Sequence, residues 1–188
     1  MHLSADTEIW LLPGWQNSGP AHWQSQWERE HGDMRLEQHD WERPLRGDWI
    51  MRLEETLLAS DAPVLLVAHS LGCHLVAAWA AQSRITEKVH GALLVAPPDP
   101  TREDFPAALH SWRKPVLEKL SFATQVLASS NDPYCSLDRA QHMAQAWGAG
   151  FECLGPLGHI NSESKLREFE GGRKALEVLS ASAPQRTL

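Results

Sequence analysis

Tyrosine occurs once, phenylalanine four times and cysteine three times in the 188 residues. The cysteines, Cys73, Cys135 and Cys153, are odd in number and widely spaced, and none lies near another cysteine or a histidine at the pitch of a zinc site or a redox pair. Free thiols in a reducing compartment are expected. Basic residues are also few, 17 Lys and Arg against 24 Asp and Glu, and the net charge of -7 argues against attraction to nucleic-acid phosphates or an anionic membrane. No apolar run approaches the roughly 20 residues of a membrane span. Met1 to Thr7 lacks the basic and apolar regions of a secretory signal. The expectation is a cytoplasmic protein with neither nucleic acid nor membrane as partner. Of the ten histidines, His22, His31, His39, His90, His110 and His142 are scattered without a ligand pattern, so neither metal nor cofactor is expected. Nothing in the chain indicates an oligomeric state.

What is plentiful is tryptophan, nine residues, several of them (Trp15, Trp23, Trp27, Trp41, Trp49) within the first 49 residues. Packing of large aromatic bodies in a core is the simplest account of most of them. Glycine and proline, 12 each, are near average usage, and the length suits one domain with its core over about residues 8–179.

Short, nearly continuous apolar runs mark strands buried on both faces of a parallel sheet: Glu8 to Leu12, Val64 to Ala68, Gly91 to Ala96 and Phe122 to Ala128, with weaker candidates at Met34 to Gln38 and Phe151 to Leu154. Helical patterns fill the intervals. Pro20 suits a first helical position before Trp23 and Trp27, with Gly32 as the stop; Asp48 suits a cap before Ile50, Leu53 and Leu57. Leu71 to Ala81 follows the third run directly. Ser136 suits a cap before Ala140, Met143, Ala144 and Trp147, and Gly148 an end. Ser162 to Leu179 reads as mostly helical with a break near Gly171 and Gly172. Alternation of strand and helix implies right-handed crossovers and a three-layer α/β/α fold around a mostly parallel six-stranded sheet, with ligands beyond the carboxyl ends of the strands.

Those ends carry the chemistry. Ala68-His69-Ser70-Leu71-Gly72 is a variant of the Gly-x-Ser-x-Gly elbow, in which a strained strand-to-helix turn lifts a serine hydroxyl clear of the sheet. Taken alone, Ser70 is equally a helix cap. The elbow, however, requires an acid and then a histidine further along the chain. Asp132, in Ser129-Ser130-Asn131-Asp132-Pro133, follows the fifth run; it has turn chemistry as its plainer role, and Asp99 is a rival one strand earlier. Hydrolases of this topology place the acid at the later position. His159, in Leu157-Gly158-His159-Ile160-Asn161, is the histidine downstream of both in a loop after a strand, whereas His142 falls within a helical pattern. The Leu71 amide and an amide of the first loop, that of Trp15, are the candidate oxyanion donors, with Gly14 permitting close approach and Gln16 behind it. Phe105 and Trp112, in the proline-rich stretch Pro97 to Lys119, are candidate walls of a substrate pocket.

These motifs carry a resemblance. Over roughly Ile9 to Leu179 the chain resembles the small serine hydrolases of the alpha/beta-hydrolase superfamily that include retinoblastoma-binding protein 9 and the bacterial YdeN-like proteins. It shares Leu12-Pro13-Gly14, His22-Trp23, Asp40-Trp41 with Pro44, the His-Ser-x-Gly elbow, Ser130 to Pro133 and Gly158-His159. The resemblance implies a compact hydrolase sheet without a large lid, and a nucleophile, acid and base at Ser70, Asp132 and His159. Ala68 departs from the family's usual glycine. The retinoblastoma-binding Leu-x-Cys-x-Glu motif is absent, since Leu71-Gly72-Cys73 continues with His74-Leu75. The expected activity is hydrolysis of an ester or related acyl bond of a small molecule through an acyl-enzyme. A peptidase or thioesterase on the same residues, and a non-catalytic binding module, are the alternatives.

Overall fold

The computed structural model describes residues 7–182. Six strands form one sheet in the order β2-β1-β3-β4-β5-β6, and every neighbouring pair is parallel. They are β1 (Glu8–Leu12), β2 (Met34–Arg35), β3 (Val64–His69), β4 (Val89–Val95), β5 (Ala123–Ala128) and β6 (Gly150–Cys153). Five α-helices join or follow them: α1 (Trp23–His31), α2 (Arg46–Ala59), α3 (Leu71–Ala80), α4 (Leu137–Trp147) and α5 (Glu170–Ser182).

The period-two alternation of the strands sorts the core into two layers. Leu11, Leu65, Val67, Leu93 and Leu127 face Trp23 and Trp27 of α1 and Leu176 and Leu179 of α5. Leu12, Leu66, Ala68, Leu94 and Val126 face α2, α3 and α4, among them Trp49, Leu75, Trp79, Met143 and Trp147. Ala68 occupies the elbow position usually held by glycine, and its Cβ points into this second layer, where a methyl is accommodated without exposure. The chain runs outward from β1 to β2, then returns past β1 to β3 and continues the other way. The crevice at this reversal, between the ends of β1 and β3, is where open α/β sheets receive ligands.

Tryptophan serves as mortar with a polar handle. Six tryptophans have almost no exposed surface (Trp23, Trp27, Trp49, Trp79, Trp112, Trp147). Each donates its indole N–H, for example Trp147 to the Val116 carbonyl at 2.9 Å and Trp112 to that of Pro44 at 2.9 Å. A large apolar body thereby fills the layer while its one donor ties down irregular chain, except in Trp79, which donates to the Glu54 carboxylate of α2.

Several helix boundaries differ from the sequence reading. Pro20 belongs to a turn, and α1 starts later, with His22 as its cap: Nδ1 accepts from the Gln24 amide at 3.1 Å. Asp48 lies inside the first turn of α2, where a carboxylate complements the helix dipole, and Leu45 occupies the cap position. Gly171 and Gly172 do not interrupt the last helix. The break comes before them, at Lys165, Arg167 and Phe169, all with positive φ. Phe169 is drawn under Trp23 and Trp27, and a Cβ on Gly172 would stand 2.4 Å from its ring, so that glycine answers a packing need. No helix among the described residues is long and apolar enough to cross a membrane.

Candidate active site

Ser70 caps α3 at φ 54° and ψ -123°, a backbone conformation that residues other than glycine rarely adopt and that costs about 1–3 kcal/mol. Two close approaches fix it. A Cβ on Gly72 would lie 2.3 Å from the Leu12 carbonyl oxygen, so α3 can begin against the end of β1 only because position 72 is bare. A Cβ on Gly14 would lie 2.7 Å from the Ser70 Cβ and 3.1 Å from its Oγ, so the loop after β1 is pressed against the serine. The Ser70 amide donates to the Val95 carbonyl at 2.9 Å, fixing the turn to the end of β4.

The His159 Nε2 lies 2.8 Å from Ser70 Oγ, and its Nδ1 lies 2.9 and 3.1 Å from the two Asp132 carboxylate oxygens. The Asp132 side chain is 4% exposed and that of His159 9%. Asp132 Oδ1 also accepts the Tyr134 amide at 2.9 Å, and the Tyr134 ring meets the imidazole edge-on at 4.7 Å. A carboxylate on Nδ1 fixes the tautomer that leaves the Nε2 lone pair toward the hydroxyl. Asp99, the rival acid, is engaged elsewhere: Arg139 Nε donates to it at 3.2 Å, and Thr101 through both its amide and its hydroxyl. His142 is exposed on α4.

The acid and histidine loops are laced together by Ser129 and Asn131, which closely precede Asp132 and have no assigned role in the sequence analysis. Asn131 Oδ1 accepts the Gly158 amide at 2.7 Å and the Ser129 hydroxyl at 2.9 Å, and Ser129 Oγ accepts the Leu157 amide at 2.9 Å. Spacing alone gives no hint of this, because both partners lie more than 25 residues downstream. His69 is a second omission. Its buried ring stands 4.9 Å from that of His159 and 4.7 Å from that of His22. Burial, with the neighbouring His22 and His159, holds its imidazole well below the ordinary histidine range. Burial, with Arg35 and then His159, likewise lowers His22 to about 3.

A cavity of about 430 Å³ opens over Ser70. Gly14, Trp15, Gln16 and Leu71 line it, with Pro98, Phe105 and Leu109 from the proline-rich stretch and Tyr134 from the loop after β5. The Trp15 and Leu71 amides donate to no described acceptor, whereas the Gln16 amide is taken by the Trp41 carbonyl at 3.1 Å. Trp112 is not a cavity wall. It is 1% exposed, packs edge-on against Trp49 at 5.6 Å and supports the stretch from beneath. Among the described residues no group of three or more His, Cys, Asp or Glu is arranged to hold a metal.

Residues 9–178 match the family model described as serine hydrolase. No curated protein matches the sequence. Among solved structures, a YdeN-like hydrolase from Pectobacterium atrosepticum is 31% identical, with 95% of this chain and 94% of that chain covered and a TM-score of 0.81. The ydeN gene product of B. subtilis is 17% identical over 94% of this chain and 100% of that one, with a TM-score of 0.73. The esterase RhEst1 from Rhodococcus sp. ECU1013 is 14% identical over 96% and 92%, with a TM-score of 0.69. The last two likenesses are of fold.

Proposed function

Because the chain belongs to the serine hydrolase family, we propose that it cleaves a carboxylic ester of a small molecule through an acyl-enzyme on Ser70, with His159 as general base and Asp132 as its partner. One observation carries the reading: the unbroken run of hydrogen bonds from Asp132 through His159 to Ser70 Oγ ends in the floor of an open cavity. Ser70 Oγ attacks the acyl carbonyl while His159 Nε2 takes its proton, and Asp132 stabilises the imidazolium. The Trp15 and Leu71 amides, free of other acceptors, receive the carbonyl oxygen as it becomes an oxyanion; each such donor is worth about 3 kcal/mol of barrier. His159 then protonates the leaving alkoxide, which departs as the alcohol. A water then attacks the acyl carbon while His159 takes its proton; the acyl–serine bond breaks as His159 returns that proton to Ser70 Oγ, and the released acid ionises to the carboxylate.

The cavity has Phe105, Leu109 and Pro98 beside Asp99, Arg102 and Asp104 in its lining, and its volume of about 430 Å³ suits a small or medium acyl group. The three cysteines are unpaired, which accords with a reducing cytoplasm. A fluorophosphonate probe tests the nucleophile: folded wild type is labelled and Ser70→Ala is not. Equal labelling of both, or none of the wild type, refutes the reading and favours a binding module. A panel of p-nitrophenyl esters, thioesters and aminoacyl amides tests the bond, with an acyl burst expected on the esters.

A further inference from the structure

Two buried side-chain donors beside the site take no part in the proton relay. His69 Nε2 lies 2.9 Å from the backbone carbonyl oxygen of His159, and because a carbonyl only accepts, that nitrogen carries the ring's proton. Trp23 Nε1 donates to the next carbonyl, that of Ile160, at 2.8 Å. The two donors come from different elements, one from the last residue of β3 and one from the first residue of α1, and their rings meet perpendicularly at 6.0 Å.

The peptides they hold are under strain. Ile160 has φ 49° with no exposed surface, and a β-branched residue in the left-handed region crowds its own carbonyl. Gly158, on the other side of the histidine, has φ 61°. The imidazole therefore hangs from a loop whose direction no regular secondary structure sets, and whose downstream residue resists the conformation it is in. Rotation of Ile160 to negative φ would turn the flanking peptides and carry Nε2 away from Ser70. His69 is also the residue immediately before Ser70, so its hydrogen bond ties the elbow directly to the base.

We propose that His69 and Trp23 are positioning residues for His159: their N–H groups pin two successive carbonyls and hold the strained loop where Nε2 reaches Ser70. The proposal rests on the hydrolase reading of Ser70. Loss of either donor lets the loop relax, and misplacement by about 1 Å costs up to about 100-fold in rate.

The test compares His69→Leu, His69→Gln and Trp23→Phe with wild type, by fluorophosphonate labelling rate and by kcat and KM on p-nitrophenyl acetate, after near-ultraviolet circular dichroism has established folding. His69→Leu and Trp23→Phe are expected to label about 10- to 100-fold more slowly, with kcat falling in proportion and KM within about twofold. His69→Gln, whose amide nitrogen reaches as far as Nε2, is expected to stay within about threefold of wild type. The proposal is overturned if folded His69→Leu or Trp23→Phe labels at the wild-type rate, or if His69→Gln is as slow as His69→Leu. Trp23→Phe, which keeps an aromatic body, carries the test if His69→Leu does not fold. Wild type that does not label overturns the Ser70 reading itself, a result distinct from labelled wild type with unaffected variants.

Discussion

Gly72→Ala isolates the steric logic of the elbow with a single methyl. Position 72 lies in the first turn of α3, and in a helix interior alanine is favoured over glycine by up to about 1 kcal/mol, so propensity alone predicts stabilisation. The structure predicts the reverse. The new Cβ would stand 2.3 Å from the Leu12 carbonyl oxygen and 3.1 Å from its carbon and from the Pro13 carbonyl oxygen, about 1 Å short of ordinary contact with the first of these. All three atoms are backbone, so no side-chain rotation relieves the clash, and β1 or α3 must shift. Overpacking of this kind costs about 1–3 kcal/mol, occasionally more. With the upper figure and the helical gain subtracted, the net loss is about 2 kcal/mol, or roughly 4–8 °C in Tm at this chain length. The shift would separate the Leu12-Pro13-Gly14 loop, and with it the Trp15 amide, from Ser70. A fall of about 100-fold in fluorophosphonate labelling is therefore expected alongside the lower Tm. Thermal denaturation and labelling of the purified variant decide the matter; an unchanged or raised Tm with wild-type labelling refutes the account.

Phe105→Ala should alter the preference among acyl chains of p-nitrophenyl esters, because Phe105 lines the cavity, and should also lower Tm, because its ring is buried. Trp112→Ala should cost about 3–5 kcal/mol of stability and leave that preference alone, and a preference shifted by Trp112 rather than Phe105 contradicts the placement of the two rings. Acid should destabilise the fold through its buried histidines. His22 is lowered to about 3 and His74 to about 4, in each case first by burial, and His69 lies well below the ordinary value of 6.5. These depressed groups stay neutral in the folded chain while the unfolded chain takes up protons near pH 6.5. Their stabilisation is thus present above pH 6.5 and is lost as pH falls toward 4, each histidine contributing a slope of about 1.4 kcal/mol per pH unit. Denaturant midpoints that are equal at pH 7 and pH 5 rule this out.

Much of the site is legible in the chain because α/β topology orders it. Each strand ends on the same edge of a parallel sheet, so a residue that follows an apolar run is placed near others that do the same, and Ser70, Asp132 and His159 each stand in that position. Helix ends are less legible. His22 displaces Pro20 as the start of α1, and the turn before α5 forms at Phe169, which is held by two tryptophans some 140 residues earlier. Trp112 shows the same limit, because an aromatic in a proline-rich stretch is equally suited to line a cavity or to prop the segment from below, and only its neighbours Trp49 and Pro44 choose.

The alternation that makes a parallel three-layer fold, and the order in which Ser70, Asp132 and His159 meet its edge, are written in the chain. These depend on local periodicity and on residues adjacent in the chain. The registration between loops arises in the folded molecule: the Asn131 bridge to Gly158, the His69 and Trp23 hydrogen bonds to the peptides around Ile160, and the bare contact of Gly72 with Leu12. Each of these contacts joins atoms 27 to 137 residues apart, and such a contact exists only after the intervening chain has packed.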